Sequence, residues 1–465
     1  MGNFKKILIA NRGEIAVRII RTCKDMGIRT VAVYSQVDED ALHVKLADEA
    51  YEIGPAEALQ SYLDMEKVID VAKHSGADAI HPGYGFLAEN SQFVEMCEDR
   101  HMIFIGPSSQ CMSKAKPKNK ARQLMRMINI PVTPGCDEAI ANAGEAGMKK
   151  AREIAAELGY PVIVKPSGGG GGIGIMIAGN ENELNRAIRR VETRSRKAFG
   201  MTAFYIEKFL TGVKHIEFQI LADQHGNVVH LGERDCSVQR RFQKLIEESP
   251  SPIVSPFLRM KMGAAAIDVA LALEYVGALT VEFFYFPTTR TFYFNEINSR
   301  LQVEHCVTEM VTNIDIVKEQ IRIAEGNPLS FCQDDIRMKG HALECRINAE
   351  DTLHNFMPSP GKIQQLRLPH GLGIRVDEGI YEGYTVPIHY DSLMLKLISV
   401  GKTREEAISR MKRALGELEM KGIKTTKPFH SIILEDEDFA NGGYTTDLAD
   451  KPEIKDKLKS PGAKS

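Results

Sequence analysis

The run from Phe294 to Glu304 concentrates groups that could do chemistry. Glu296, Asn298, Arg300, Gln302 and Glu304 recur at every second position, with Ile297, Leu301 and Val303 between them. Extended backbone sends successive side chains to opposite faces, so the five polar groups are expected on one edge of a strand. Two carboxylates, two amides and a guanidinium there could hold a cation and an anion side by side. The same alternation also fits an antiparallel strand with one solvated face. If the face is buried, a ligand must complete it, because unpaired buried charges are strongly destabilising.

Three other segments carry reactive groups. Gly168 to Gly172 is an unbroken run of five glycines, preceded by the apolar strand Val162-Ile163-Val164 and by Lys165. Glycine lets backbone N–H groups close around phosphate oxygens, and the ammonium adds charge. The pair reads as a phosphate grip or, alternatively, as a linker between two apolar runs; it is no P-loop, since no Gly-Lys-Ser/Thr follows. Glu282 interrupts the apolar strand from Leu279 to Phe284. It is either ion-paired or joined with Glu296 and Asn298 of a hairpin partner as hard oxygen ligands for magnesium on nucleotide phosphates. The stretch from Glu233 to Lys244 is dense in cations and amides, as a solvated loop would be; beside an anion site, Lys244 becomes an oxyanion contact.

The elements that must position these groups fall into three regions. Residues 5 to 110 alternate strand and helix signals, with strands at Lys6 to Ala10, Thr30 to Tyr34, Ala77 to Ile80 and Met102 to Ile105. That is a doubly wound α/β pattern. Its first turn lacks Gly-x-Gly-x-x-Gly, which argues against a dinucleotide site. From 115 to 330 the pattern is α+β around a mostly antiparallel sheet, and from Gly340 a mixed third region follows. The divisions are placed at 1–114, 115–330 and 331–446, and residues 447–465, polar and rich in lysine, are expected to be a frayed tail.

Composition narrows the classes. A chain of 465 residues exceeds one hydrophobic core and suggests about three domains. No stretch approaches the roughly 20 apolar residues that cross a bilayer, and the start from Met1 to Lys6 lacks the features of a signal peptide or a myristoylation site. A cytoplasmic location is expected. The eight cysteines are scattered without a Cys-x-x-Cys pair, so they read as reduced. A net charge of −3 with no long basic run speaks against a large nucleic-acid footprint.

Six ordered runs together make a specific match. They are Ile9 to Ala16, His81 to Leu87, Lys165 with the glycines, Glu233 to Ser237, Glu296 to His305, and Glu344 to Asp351. Over residues 3 to 446 the chain resembles the biotin carboxylase family of the ATP-grasp superfamily. The resemblance implies a Rossmann-like N-terminal domain, an ATP-grasp domain with a mobile lid at about 136–207, and a mixed α/β C-terminal domain. It implies ATP- and bicarbonate-dependent carboxylation of biotin by way of carboxyphosphate, with magnesium or manganese as the metal. Lys118, Lys165, Gly171, Gly172, Glu207, Lys208, Phe209, Leu210, His215 and Gln239 match nucleotide positions, and Glu282, Glu296 and Asn298 match metal ligands. Lys244, Arg300 and the Val303 backbone match bicarbonate contacts, Glu304 the base, and Arg346 the residue that meets the biotin enolate.

Four positions depart from the family pattern: Ile173 stands for a common Arg, Phe242 for a His, Cys306 for a Pro, and Ala115-Lys116-Pro117 for Met-Gly-Asp. Nucleotide affinity is where these would act. No Ala-Met-Lys-Met string occurs. The expected partners are therefore a separate biotin carboxyl carrier protein and a carboxyltransferase, as in pyruvate carboxylase or acetyl-CoA carboxylase systems, with the chain itself a homodimer. The alternatives are another ATP-grasp ligase and a degenerate, regulatory ATP-binding protein.

Overall fold

The computed structural model describes residues 3–115, 118–167, 174–199 and 202–459. Pro117 and the run from Gly168 to Ile173, with Gly171 and Gly172, lie outside them, as does the side chain of Lys118 at the start of helix Lys118–Met127.

The N-terminal region is a five-stranded parallel sheet in the spatial order Glu49–Gly54, Arg29–Ser35, Lys6–Ile9, Ala79–His81, Ile103–Phe104. The sequence pattern indicated four of these. Glu49–Gly54 escaped it because only Ile53 of that edge strand is buried, leaving no apolar run to read. Helix Gly13–Asp25 turns Ile15, Ile19, Ile20 and Cys23 into one buried stripe at helical spacing.

The central feature is an eight-stranded sheet in which every neighbouring pair is antiparallel. Its order is Thr291–Asn298, Gly277–Phe286, Lys214–Ala222, Val228–Arg240, Gln243–Ser249, His341–Asn348, Leu393–Gly401, Ile374–Glu378. Strands from both sides of residue 330 therefore share one sheet. The stretch from Glu233 to Lys244 is not a solvated loop: its first eight residues complete strand Val228–Arg240, and Glu233, Arg234 and Asp235 are fully buried.

Residues 136–207 form a smaller body. Strands Met176–Ala178, Val162–Pro166 and Phe204–Lys208 pair antiparallel beneath helices Glu145–Leu158 and Glu181–Phe199. The core here, with Ile140, Met148, Val164, Leu184, Val191 and Ile206, draws only on this stretch. Such a unit can tilt without breaking the main core.

Two expectations are corrected. The alternating strand stops at Asn298, and Glu304 instead caps helix His305–Thr312. The tail is not frayed throughout, since Pro452–Lys459 is a helix that buries Ile454 and Leu458 in the C-terminal core. Lysines on its outer face hid the apolar stripe. No helix among the described residues is long and apolar enough to cross a membrane. Ile454 is fully buried, so Ile454→Ala is expected to lower the unfolding free energy by about 2–5 kcal/mol. The measurement is the denaturant midpoint; an unchanged midpoint would return this segment to the status of a loose tail.

Candidate active site

The hairpin of Gly277–Phe286 and Thr291–Asn298 sets Glu282 directly opposite Glu296 and Thr280 opposite Asn298. Beyond Asn298 the chain turns, yet the turn keeps the remaining polar groups in the same cleft. That cleft, about 1180 Å³, is lined by Glu282, Glu296, Asn298, Arg300, Gln302, Val303 and Glu304, and also by Lys244 and Arg346. It is lined as well by Lys165, Glu207, Lys208, Phe209, Leu210, His215 and Gln239. The volume lies just above the range of roughly 300–1,000 Å³ usual for small-molecule pockets.

The geometry centres on Lys244. Its ammonium donates to Glu217 Oε2 at 2.5 Å, Glu304 Oε1 at 2.7 Å and Glu282 Oε1 at 2.9 Å. Arg346 Nη2 reaches the other oxygen of Glu304 at 2.9 Å. Burial alone would raise the Glu304 carboxyl, but Lys244, Arg346 and Arg234 outweigh it and hold the group well below the usual carboxylate range. Glu282 follows the same logic: burial is overcome by Lys244 and by His215, whose Nε2 lies 2.9 Å from Glu282 Oε2. The three carboxylates in turn outweigh burial at Lys244 and lift its ammonium well above the ordinary lysine value.

Arg300 is held by Glu89 at 3.2 Å, by Asn298 Oδ1 at 3.0 Å and by Gln302 Oε1 at 2.9 Å, which gives Gln302 a task as an orienting acceptor. The Val303 carbonyl accepts from Lys396 at 2.9 Å. Lys165 is ion-paired to Glu207. Lys208 is turned to the carbonyls of Gly159 and Tyr160 at 2.9 and 3.1 Å. Gln239 Nε2 lies 3.1 Å from His215 Nδ1.

Glu282, Glu296 and Asn298 suit a hard divalent cation. Carboxylates directly opposite each other on a hairpin repel, and two carboxylates with an amide oxygen form an oxygen donor set of the kind magnesium takes. Rotating the Asn298 amide, whose nitrogen now donates to Glu282 at 2.9 Å, would turn its oxygen the same way.

Four contributors were not foreseen from sequence: Glu217, Arg234, Glu247 and Lys396. Arg234 is fully buried and pairs with Glu217 at 2.5 Å, as well as with Gln219 and Thr308. A signal existed, since Glu217 and Gln219 alternate with Ile216, Phe218 and Ile220 as the groups of 296–304 do. Of the departures, Phe242 lines the cleft, whereas Cys306 does not and donates instead to Asp377 at 3.2 Å.

Comparison with known proteins gives three consecutive family-model matches. Residues 3–112 match "Biotin carboxylase, N-terminal domain", 117–332 match "Carbamoyl-phosphate synthase L chain, ATP binding domain", and 344–451 match "Biotin carboxylase C-terminal domain". Biotin carboxylase 1 of Bacillus subtilis is 53% identical over 95% of this chain and 97% of its own. A pyruvate carboxylase subunit from Methanothermobacter thermautotrophicus is 50% identical over 96% and 90%. Among solved structures, the biotin carboxylase domain dimer of Hydrogenobacter thermophilus 2-oxoglutarate carboxylase, in complex with MgADP, ADP and bicarbonate, superposes with a TM-score of 0.94. It is 46% identical and covers 98% of this chain and 99% of that one.

The charge cluster generates a stability prediction. Glu304 and Glu282 have depressed folded values, so their contribution is present above the unfolded carboxylate value and is lost as pH falls through the folded one. Lys244→Gln removes the shared cation and leaves buried carboxylates whose folded values rise instead. The variant is expected to lose about 3–5 kcal/mol near neutral pH. Its deficit in melting temperature should shrink between about pH 8 and pH 5, as protonation relieves the unpaired charges. A deficit independent of pH would contradict this account.

Proposed function

The chain belongs to the biotin carboxylase family, and on that premise we propose how its residues divide the ATP- and bicarbonate-dependent carboxylation of biotin. The observation that carries the proposal is Glu304, a buried carboxylate held between Lys244 at 2.7 Å and Arg346 at 2.9 Å. Bicarbonate is a poor nucleophile until it loses its proton, and a carboxylate beside cations can both take that proton and hold the anion. Glu304 is the base, and Lys244, Arg300 and the Val303 backbone hold the bicarbonate. The anion competes for Lys244 and adds a like charge beside Glu304, which raises the carboxylate towards a useful basicity. Arg346 stabilises the oxyanion that forms on biotin.

Lys118, Lys165, Gly171, Gly172, Glu207, Lys208, Phe209, Leu210, His215 and Gln239 bind the nucleotide, with Lys165 exchanging Glu207 for a phosphate. Glu282, Glu296 and Asn298 would hold magnesium or manganese, which offsets charge on the transferred phosphoryl group. Residues 136–207 act as a lid that excludes water from a hydrolysable carboxyphosphate; a core of their own supports this role. The domains run 1–114, 115–330 and 331–446.

Biotin arrives on a separate biotin carboxyl carrier protein, and a carboxyltransferase chooses the acceptor. Relatives named for pyruvate and for 2-oxoglutarate match almost equally, at 50% and 46%, as expected if acceptor choice lies outside this chain. A cytoplasmic homodimer completes the proposal, supported by the dimeric relative.

Phosphate release from ATP should require bicarbonate and rise with free biotin; release that needs neither sinks the reading. Glu304→Gln is nearly isosteric and should reduce biotin carboxylation by about 10²–10⁴-fold, while ATP still raises the melting temperature. Loss of that ATP-dependent shift would move Glu304 to the nucleotide site.

A further inference from the structure

Behind the cleft, the central sheet carries buried charges that the reaction outlined above does not use. Strand Gln243–Ser249 pairs with His341–Asn348 so that Glu247 faces Glu344 directly. Arg346 lies two residues beyond Glu344, hence on the same face and diagonal to Glu247. Its Nε is 2.7 Å from Glu247 Oε1, an ion pair without hydrogen-bond alignment, while its Nη2 donates to Glu304 Oε2 at 2.9 Å. Glu247 and Glu344 are both 0% exposed, and neither lines the cleft.

This arrangement answers a geometric problem. A guanidinium is a planar, rigid fork, and beside a lone carboxylate it tends to form a bidentate pair. If Arg346 closed on both oxygens of Glu304, base and oxyanion partner would neutralise each other and Lys244 would be displaced. A carboxylate behind Nε draws the guanidinium towards itself by charge, and Arg346 is left with a single Nη2 contact to Glu304.

Glu344 faces that carboxylate across the strand pair. Two carboxyls facing each other without water cannot both ionise. The Glu344 carboxyl has no hydrogen-bond partner among the described residues. Burial pushes it well above the ordinary range, with Lys396 opposing and Glu247 reinforcing. Burial lifts Glu247 as well, to about 7, but Arg346 works against it. The other charged groups facing the pair are Glu304, Lys244, Glu217 and Lys396. Of the two, Glu344 is the more readily protonated, and Glu247, beside Arg346, the more readily charged.

We propose that Glu247 is a positioning residue for biotin carboxylation, holding Arg346 by the ion pair at its Nε. The inference rests on the biotin carboxylase reading of Arg346.

The test uses the whole chain with ATP, bicarbonate and free biotin. Glu247→Gln keeps an acceptor oxygen near Arg346 Nε, and Glu247→Leu removes it. The biotin-dependent kcat should fall about tenfold in the first and about 10²-fold in the second, the size of effect expected when a reacting group is misplaced by about 1 Å. The KM for ATP should change by less than about twofold, because the residues assigned to the nucleotide do not touch Arg346. A full biotin-dependent rate in folded Glu247→Leu overturns the proposal. So does a fall in rate matched by a rise in the KM for ATP and a lower melting temperature, which marks general loss of structure. If the leucine variant does not fold, a wild-type rate in Glu247→Gln overturns it. A wild-type protein inactive with bicarbonate and biotin overturns the reading of the site itself, a result distinct from the others.

Discussion

One buried ammonium governs this molecule. Lys244 sits among Glu217, Glu282 and Glu304, each within 2.9 Å, and desolvating four such ions is affordable only when each finds its partners in good geometry. The requirement propagates outward. Glu217 needs Arg234, Glu304 needs Arg346, Glu282 needs His215, and Arg346 needs Glu247. Each of these is carried by a strand of the central sheet, or by the turn and helix end that follow one, so the register of that sheet is also the register of the site. A slip of one residue would send the charged set to the opposite face.

That constraint accounts for the division of the fold. The charged groups around Glu304 stand on strands that are paired on both sides. The groups assigned to the nucleotide phosphates stand partly on a body with a separate core, built from Ile140, Met148, Leu184 and their neighbours. Lys208, at the end of strand Phe204–Lys208, closes that body on itself through the carbonyls of Gly159 and Tyr160. The two sets of groups thereby stand on different hydrophobic cores. The N-terminal region joins the central sheet through Glu14, which pairs at 3.2 Å with Lys396, the residue that holds the Val303 carbonyl.

Much of this was legible in the sequence, and the failures have physical causes. Alternation found the Thr291–Asn298 strand, and its hairpin partner brought Glu282 to Glu296 as expected. Alternation also carried the strand too far, because a turn and a helix cap can keep side chains in one cleft without extended backbone, as they do from Arg300 to Glu304. The strand carrying Arg234 reads as polar, and charge density alone suggests solvent. What reverses that inference is the complementary set on the neighbouring strand, Glu217 and Gln219, and strand neighbours are not a local property. Glu247 and Lys396 were invisible for the same reason: their partners lie 99 and 93 positions away.

The departures from the family pattern fall on either side of the boundary between support and site. Cys306 stands in the first turn of the helix that Glu304 caps, where a proline has no N–H to satisfy. Here the thiol is fully buried and donates to Asp377, which Arg375 neutralises at 2.7 Å. The replacement is absorbed behind the site, and the contacts of Glu304 with Lys244 and Arg346 stay intact. Phe242 is different. It lies at a hairpin tip with φ of +67° and lines the cleft with 37% of its surface exposed. The phenyl ring there has no N–H to donate to a phosphate oxygen, as an imidazole has. The substitution at 306 thus leaves the charged contacts of the cleft in place, whereas the one at 242 changes the chemistry of the cleft wall itself.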